Sequence, residues 1–500
     1  MSHQNSMNMK KLLLSVILTL AVFAGVFAQN DLDAFRFSQT NWEGTARFMG
    51  AGGAFGAIGG DFSCLSTNPA GIGVFKKTEI SFTPLVITAY KTNADYSGES
   101  SPSSRVRYSL SNFGAVFALP LHKSDEDPVS RWRMTQFGFG YNRIMDFNNL
   151  TYATGMSNGN SIATAFVNAA NGTGFGSLEG DALCAWNTWL IDTVPGENSQ
   201  YREFLSGKAL RQSNYVRTKG GIDEMSFSFG GNYNDQLYLG LTIGVPVLDY
   251  TSETEYVEED ENDVAGSFDK LRILDRLHTS GVGVNAKFGV IYQPVSFLRI
   301  GAAFHTPTYY GNLKETFDRE VSSRFVNDGD VDSYEHSYDN ISKYKLSTPL
   351  RAIGSIGFVI AKRAFISAEY EFTDYGMATL YSSDNLMYRY NFTEENLEIS
   401  KKYRSCHSIR VGGELTVTNF FLIRLGYGYS TSPFKDGAND GSAHTASGGI
   451  GFRGKIFFCD FTYQFRHYGQ NYWFYPSETL EPVVTTNNSH RFVATLGVKF

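Results

Sequence analysis

Eight charged side chains, Lys287, Arg299, Glu369, Glu371, Arg410, Glu414, Arg424 and Asp460, fall on one parity of segments that alternate apolar and polar residues. Cations and carboxylates on a shared face can neutralise one another as an ion-pair lattice, or leave a guanidinium free to hold an anionic group. The lattice is the blander reading for each residue. Arg299, Arg410 and Arg424 are the candidates for pairing with a ligand carboxylate, on parity alone. Other chemistry has weaker support. The nine histidines are scattered, with no CxxCH and no close pair, so haem finds little support and only His305 is worth watching. Cys64, Cys184, Cys406 and Cys459 have no metal or redox spacing; they read as unpaired packing residues, with Cys406 and Cys459 on opposite faces. No Ser/His/Asp set stands out, so no catalytic residue, metal or cofactor is assigned and the chain is expected not to be an enzyme.

The elements that must position those charges are strands. From residue 79 onward the two-residue period dominates, and it is clearest at the end, where Phe492, Ala494, Leu496, Val498 and Phe500 oppose Arg491, Thr495 and Lys499. The same pattern predicts fourteen strands, near 79–88, 106–119, 133–147, 222–232, 235–249, 281–293, 296–306, 348–360, 364–378, 405–417, 421–430, 445–453, 456–467 and 490–500. Most reach the ~9–11 residues that a tilted strand needs to cross a bilayer. Their connections alternate between short turns and long loops, at 89–105, 148–221, 250–280, 307–347, 379–404, 431–444 and 468–489, which is the pattern of an outer-membrane β-barrel. Charges cost ~2–4 kcal/mol for Arg or Lys at the lipid-facing midplane, so their common parity must point inward.

Composition agrees. With 43 basic and 50 acidic residues the net charge is -7, which disfavours a nucleic-acid partner. The one long apolar run, Leu12 to Phe27 behind Lys10 and Lys11, ends in Val26-Phe27-Ala28 and reads as a signal peptide over 1–28 with the mature chain starting at Gln29. Residues 79–500 then form the barrel. Between the two, 29–78 do not alternate; their glycine density, as in Gly50, Gly52, Gly53 and Gly56, serves tight turns and close backbone approach. A nucleotide loop is excluded because the spacing is not GxGxxG. Such a segment fits inside the lumen as a plug, since fourteen strands otherwise enclose an open channel.

The stretch from Gly44 to Gly73, with Asn68-Pro69-Ala70, resembles the N-terminal hatch of the FadL/TodX family of outer-membrane transporters of hydrophobic compounds. Further resemblance lies in Phe304 to Tyr310, in Ser347 to Arg351, in Arg424 to Pro433 and in the terminal Phe500. The resemblance implies an all-β, 14-stranded antiparallel transmembrane barrel in the bacterial outer membrane, plugged by the hatch and working as a monomer among outer-membrane lipid and lipopolysaccharide. It implies passive transport of long-chain fatty acids or other hydrophobic small molecules: capture by loops, transfer to a greasy internal pocket, hatch movement and sideways exit. Gly50, Gly52, Gly53, Asn68, Pro69 and Ala70 would then gate, and Gly138 and Gly140 would kink the third strand into a lateral opening. The alternatives are a hemin-binding receptor and a general porin or structural protein. Trp186, Trp189, Leu190, Phe204 and Leu205 could build loop helices for capture or simply pack on the barrel mouth. The acidic residues of 250–280, Glu253 to Asp263, read as a solvated loop, with divalent-cation bridging to lipopolysaccharide as the sharper alternative.

Overall fold

The computed structural model describes residues 31–121, 131–327, 330–361, 363–435, 437, 439–477 and 480–500. The expected signal peptide lies outside them. Alternation does what it should: every strand pairs antiparallel with its neighbours, and Glu79–Lys499 through Asp95–Val484 join the first to the last, closing a barrel. Nineteen ladder segments make up fourteen wall strands, five of which are interrupted once.

In chain order the wall is β1 (Glu79–Tyr96), β2 (Glu99–Ser109 and Asn112–Pro120), β3 (Trp132–Asp146 and Asn149–Met156), β4 (Arg211–Tyr233) and β5 (Leu237–Glu259). Next come β6 (Phe268–Val295), β7 (Leu298–His305 and Tyr309–Asn327), β8 (Asp330–Ser347 and Arg351–Ile360) and β9 (Ala364–Asp374 and Thr379–Ser382). The last five are β10 (Ser405–Thr416), β11 (Phe421–Ser430), β12 (Ala443–Arg453), β13 (Phe457–Tyr472) and β14 (Val483–Lys499). The breaks in β7 and β8 sit side by side at Pro307 and Pro349, residues that cannot donate to a ladder. Thr348 N bonds Thr308 O at 3.0 Å and Thr308 N bonds Thr348 Oγ1 at 2.9 Å, so the two strands bend together.

The two faces differ as the parity demands. On β14 Phe492 and Leu496 are about half exposed, whereas Arg491 and Thr495 are buried. Near the outer rim the outward face carries three Tyr–His pairs on neighbouring strands. The hydroxyls of Tyr370, Tyr427 and Tyr463 meet Nδ1 of His407, His444 and His490 at 2.7, 2.8 and 2.8 Å. Amphipathic rings at that height form the aromatic girdle expected where the apolar band ends.

The long connections differ from expectation. Much of 250–280 and nearly all of 307–347 is ladder, because β5 to β8 continue well beyond the girdle. Those extensions have no continuous oily face toward lipid, so they read as loops; cross-strand ion pairs help hold them, Arg272 with Glu255 (2.5 Å) and Glu320 (3.0 Å), and Arg319 with Asp275 (2.6 Å), while Tyr256, Leu271, Ile273 and Val321 are buried in an apolar core above the mouth. Glu253 likewise faces Arg217 and Lys219, both at 3.6 Å. In 148–221, the helices Ala163–Ala170 and Gly180–Asn187 share an apolar core with Leu190, Leu205, Tyr256, Leu271 and Tyr475 over the mouth, leaving Trp189 and Phe204 exposed.

Candidate functional site

Residues 44–75 lie inside the lumen, and their local structure follows from their side chains. Thr45 caps the short helix Ala46–Gly50 by accepting from Phe48 N, and its hydroxyl also bonds Asp61, which caps the turn Phe62–Leu65 through Ser63 N. Asn68 does the same for Pro69–Val74: its side-chain oxygen accepts from Ala70 N at 3.1 Å while its amide reaches Gly56 O at 2.6 Å. Pro69 stands at the first helical position, where no N–H is needed. His305 on the wall bonds Thr67 O at 2.6 Å.

Glycine sets how closely this segment meets the wall. Gly52 has φ +65°, and a Cβ on Gly426 of β11 would stand 2.1 Å from Gly52 N. A Cβ on Gly240 would likewise strike the Pro69 carbonyl at 2.2 Å. Gly50 packs on Thr462 and Arg424, Gly53 on Phe48 and Arg410, and Ala70 on Gly240 and Gly289. All the residues read as hatch positions therefore touch either the wall or the segment's own core.

The inward charges form the lattice. Arg47 of the segment pairs with Glu414, Glu414 with Arg424 at 2.6 Å, Arg424 with Asp460 at 2.7 Å, and Asp460 with Arg453 at 2.8 Å. Arg410 binds Glu369 and Glu371, and Lys287 binds Glu224. Arg424 and Arg410 thus each have two carboxylates and are buried, while Arg299 donates to Ile58 O and stacks on Tyr238 at 5.8 Å. Burial pushes up the carboxyl of Glu43, which directly precedes the segment, against the opposing pull of Arg491.

Above the segment lies a chamber of about 420 Å³, within the ~300–1,000 Å³ range of small-molecule pockets. It is lined by Phe35, Tyr250 and Phe434, and equally by Arg36, Arg466, Arg491 and a set of Asn and Thr residues. It is a mixed pocket rather than the wholly greasy one the resemblance implies: the strands give it many polar side chains, and Leu32 and Phe35 of the helix Asp31–Arg36 join Met145, Val216, Pro433 and a few aromatics as apolar surface. Two smaller cavities continue it down to Trp42, Lys287, His305 and Arg410. A separate cavity of about 450 Å³ opens below the segment beside Arg47, Lys76 and Arg299, and it shares no lining residue with those above.

Arg466 and Arg491 were not singled out as ligand residues, although their parity is inward. Arg491 pairs with Glu43 at 3.2 Å. Arg466 bonds Asn41 and stacks on Tyr468 at 5.3 Å, and no carboxylate lies within ion-pair distance of it among the described residues.

Gly138 and Gly140 are paired on both edges, to Val116 and Gly114 and to Ser228 and Ser226, so the wall is continuous there. Their lack of a side chain makes room for Ile72, Leu65 and Phe62 of the segment. The wall parts higher up. The β2–β3 ladder ends at Asn112–Asn142; beyond it Glu99–Ser109 pairs only with β1 and Asn149–Met156 only with β4, leaving two facing edges without a ladder. The four cysteines are free, with Cys64, Cys184 and Cys406 buried and Cys459 partly so.

No protein-family model and no curated protein matches the sequence. Among solved structures, a Pseudomonas aeruginosa FadL homologue superposes with a TM-score of 0.55 at 13% identity, over 92% of this chain and 99% of that one. The P. putida toluene transporter TodX superposes with a TM-score of 0.54 at 12% identity, again over 92% and 99%. The chain has the FadL/TodX fold.

Proposed function

We propose that a barrel of this fold serves as a passive outer-membrane transporter of hydrophobic small molecules, and that long-chain fatty acids or similar amphiphiles are its cargo. One observation carries the reading: the 420 Å³ chamber is closed below by the N-terminal segment and bordered at its side by Asn149 and Thr151, on one of the two strand edges without a ladder. An open porin would offer a straight path, and this lumen offers a sideways one.

Capture falls to the exposed Trp189, Phe204 and Phe175 of the cap, from which an apolar chain reaches the chamber. Each methylene removed from water contributes ~0.8 kcal/mol, enough to hold a long chain without an energy source. The chamber's cations and amides suit a polar head. Release follows movement of the hatch around Gly50, Gly52, Gly53 and Asn68-Pro69-Ala70, with the cargo leaving between β2 and β3. Nothing in this sequence of steps calls for a covalent reaction, a metal or a second chain.

Native mass spectrometry of the detergent-purified protein with an equimolar mixture of oleate and hemin tests this. Stoichiometric oleate is the expected result. Hemin alone would move the protein to haem uptake, and neither ligand would overturn the reading.

A further inference from the structure

The parted edges of β2 and β3 hold an arrangement that the ion-pair lattice elsewhere does not repeat. In place of backbone pairs, Ser103 Oγ donates to Leu150 O at 2.8 Å, and Arg105 Nη1 donates to Thr218 O at 2.8 Å and to Asn149 O at 3.3 Å. Two residues on, Arg107 has its Nε buried without a hydrogen-bond partner. Neither Arg105 nor Arg107 has a carboxylate within ion-pair distance among the described residues, and the one cation beside them, Arg217, shares Glu253 with Lys219. Asp146, on the chamber side, is engaged by the Tyr90 hydroxyl at 2.8 Å and the Asn148 amide at 2.9 Å.

Register fixes which way these side chains point and how high they stand. Arg105 is directly opposite Tyr90, whose hydroxyl reaches into the chamber, and Arg107 is opposite Thr88, so both guanidinium groups turn toward the lumen side of the seam. Between those two positions Ala89 is opposite His490, which belongs to the girdle pair with Tyr463. The arginines therefore stand close to the level where the apolar band ends and lipid headgroups begin. Arg47, Lys287, Arg410, Arg424 and Arg491 are each neutralised by a carboxylate; partly buried guanidinium groups left with carbonyls alone favour an anion strongly. Arg is also the side chain whose planar fork matches a carboxylate.

We infer that Arg105 and Arg107 form an anion site in the seam, where the carboxylate of an amphiphilic cargo is held as its chain passes from the chamber into the outer part of the membrane. This rests on the transporter reading above and narrows its cargo from neutral hydrocarbons to acyl chains with an anionic head. The carboxylate replaces the Thr218 and Asn149 carbonyls as acceptor of Arg105 and gives Arg107 the acceptor it lacks. Breaking those side-chain bonds, rather than a ladder, is then what frees the seam.

The test is a native mass spectrometry titration in non-ionic detergent with oleate and with oleyl alcohol, the same chain with a neutral head. The protein is compared with R105Q/R107Q and R105K/R107K, each first checked for the heat-induced gel shift of a folded barrel. The expected result is an oleate affinity about tenfold above that for oleyl alcohol, lost in the glutamine variant and restored in the lysine variant, with oleyl alcohol unchanged throughout. Undiminished oleate binding in R105Q/R107Q would overturn the site while leaving the transporter reading intact, and no binding of either ligand to the unaltered protein would remove both. Loss of co-purifying lipid A phosphate, with oleate binding intact, would overturn the assignment in favour of a lipid headgroup.

Discussion

Arg47 of the N-terminal segment and Glu414 of the wall share two bonds, Nε to Oε2 at 2.8 Å and Nη2 to Oε1 at 2.9 Å. Arg424 binds the same carboxylate at 2.6 Å. The pair joins the segment to an ion network that runs along β10 to β13, so the segment is held by charge as well as by packing.

Removing Arg47 should therefore loosen the segment without opening the barrel. R47A leaves Glu414 with Arg424, so the cost falls at the low end of the ~3–5 kcal/mol for breaking a buried pair. The expected outcome is a rise in ion conductance across planar bilayers with an unaltered far-UV spectrum. Conductance equal to that of the unaltered protein would show that packing alone seats the segment.

Close approach of backbones makes a second prediction. Any side chain on Gly426 would collide with Gly52 N and Ala51 C, at 2.1 and 2.5 Å. Gly354, also in the wall, has nothing within 4 Å. G426V should expose residues 44–75 to limited proteolysis from within an intact barrel, and G354V should not. Equal protection of both variants would mean that the segment can be accommodated elsewhere in the lumen.

Thiol chemistry reports the same movement. Burial holds the Cys64 thiol well above its usual range and that of Cys184 up to about 12. Since only the thiolate reacts, both should be alkylated at pH 8 at least ~100-fold more slowly than an unstructured cysteine, with rates rising with pH. In R47A and G426V, Cys64 should gain reactivity and Cys184, in the distant cap, should not. Peptide mapping after iodoacetamide treatment decides it; unchanged Cys64 labelling in both variants would sink the link between ion pair, close packing and plug position.

How much of this was legible in the sequence depends on whether a residue's role lies in its own strand or between distant ones. Alternation in Phe492 to Phe500 announces lipid on one side, and the inward parity of Arg410 and Arg424 is correct because a strand's period is two whatever its neighbours do. The strand extensions over 250–259, 309–327 and 330–347 were hidden, because above the bilayer their apolar residues, such as Tyr256 and Val321, meet loop helices rather than lipid and pairs such as Arg319–Asp275 link different strands. The same reason hid the seam. Gly138 and Gly140 draw attention as glycines in a strand, but their absent side chains serve Phe62 and Ile72, contacts invisible without the segment in place. The parting of β2 from β3 arises at Leu110–Ser111 and Phe147–Asn148, where no local signal marks it. Ligand residues were least legible: parity cannot tell an arginine already holding two carboxylates from Arg466, which holds none.

That distinction is open to direct test. Arg424 is buried against Glu414 and Asp460, Arg410 against Glu369 and Glu371, and Arg299 faces the lower cavity. Arg466 lines the chamber with Asn41 and Tyr468 as its partners among the described residues, so its guanidinium keeps donors for an incoming carboxylate. R466A should slow oleate association about tenfold, because it removes a charge from the chamber that the head group crosses before the seam, and leave the equilibrium preference for oleate over oleyl alcohol in place. R424A should instead lower the unfolding temperature by leaving two buried carboxylates uncompensated, with oleate affinity within about twofold of the unaltered protein. R299A should do neither to a large extent. If R424A or R410A, still folded, loses oleate while R466A does not, the head group sits at the chamber floor against the ion lattice, and the cargo travels deeper than the chamber before it turns toward the seam.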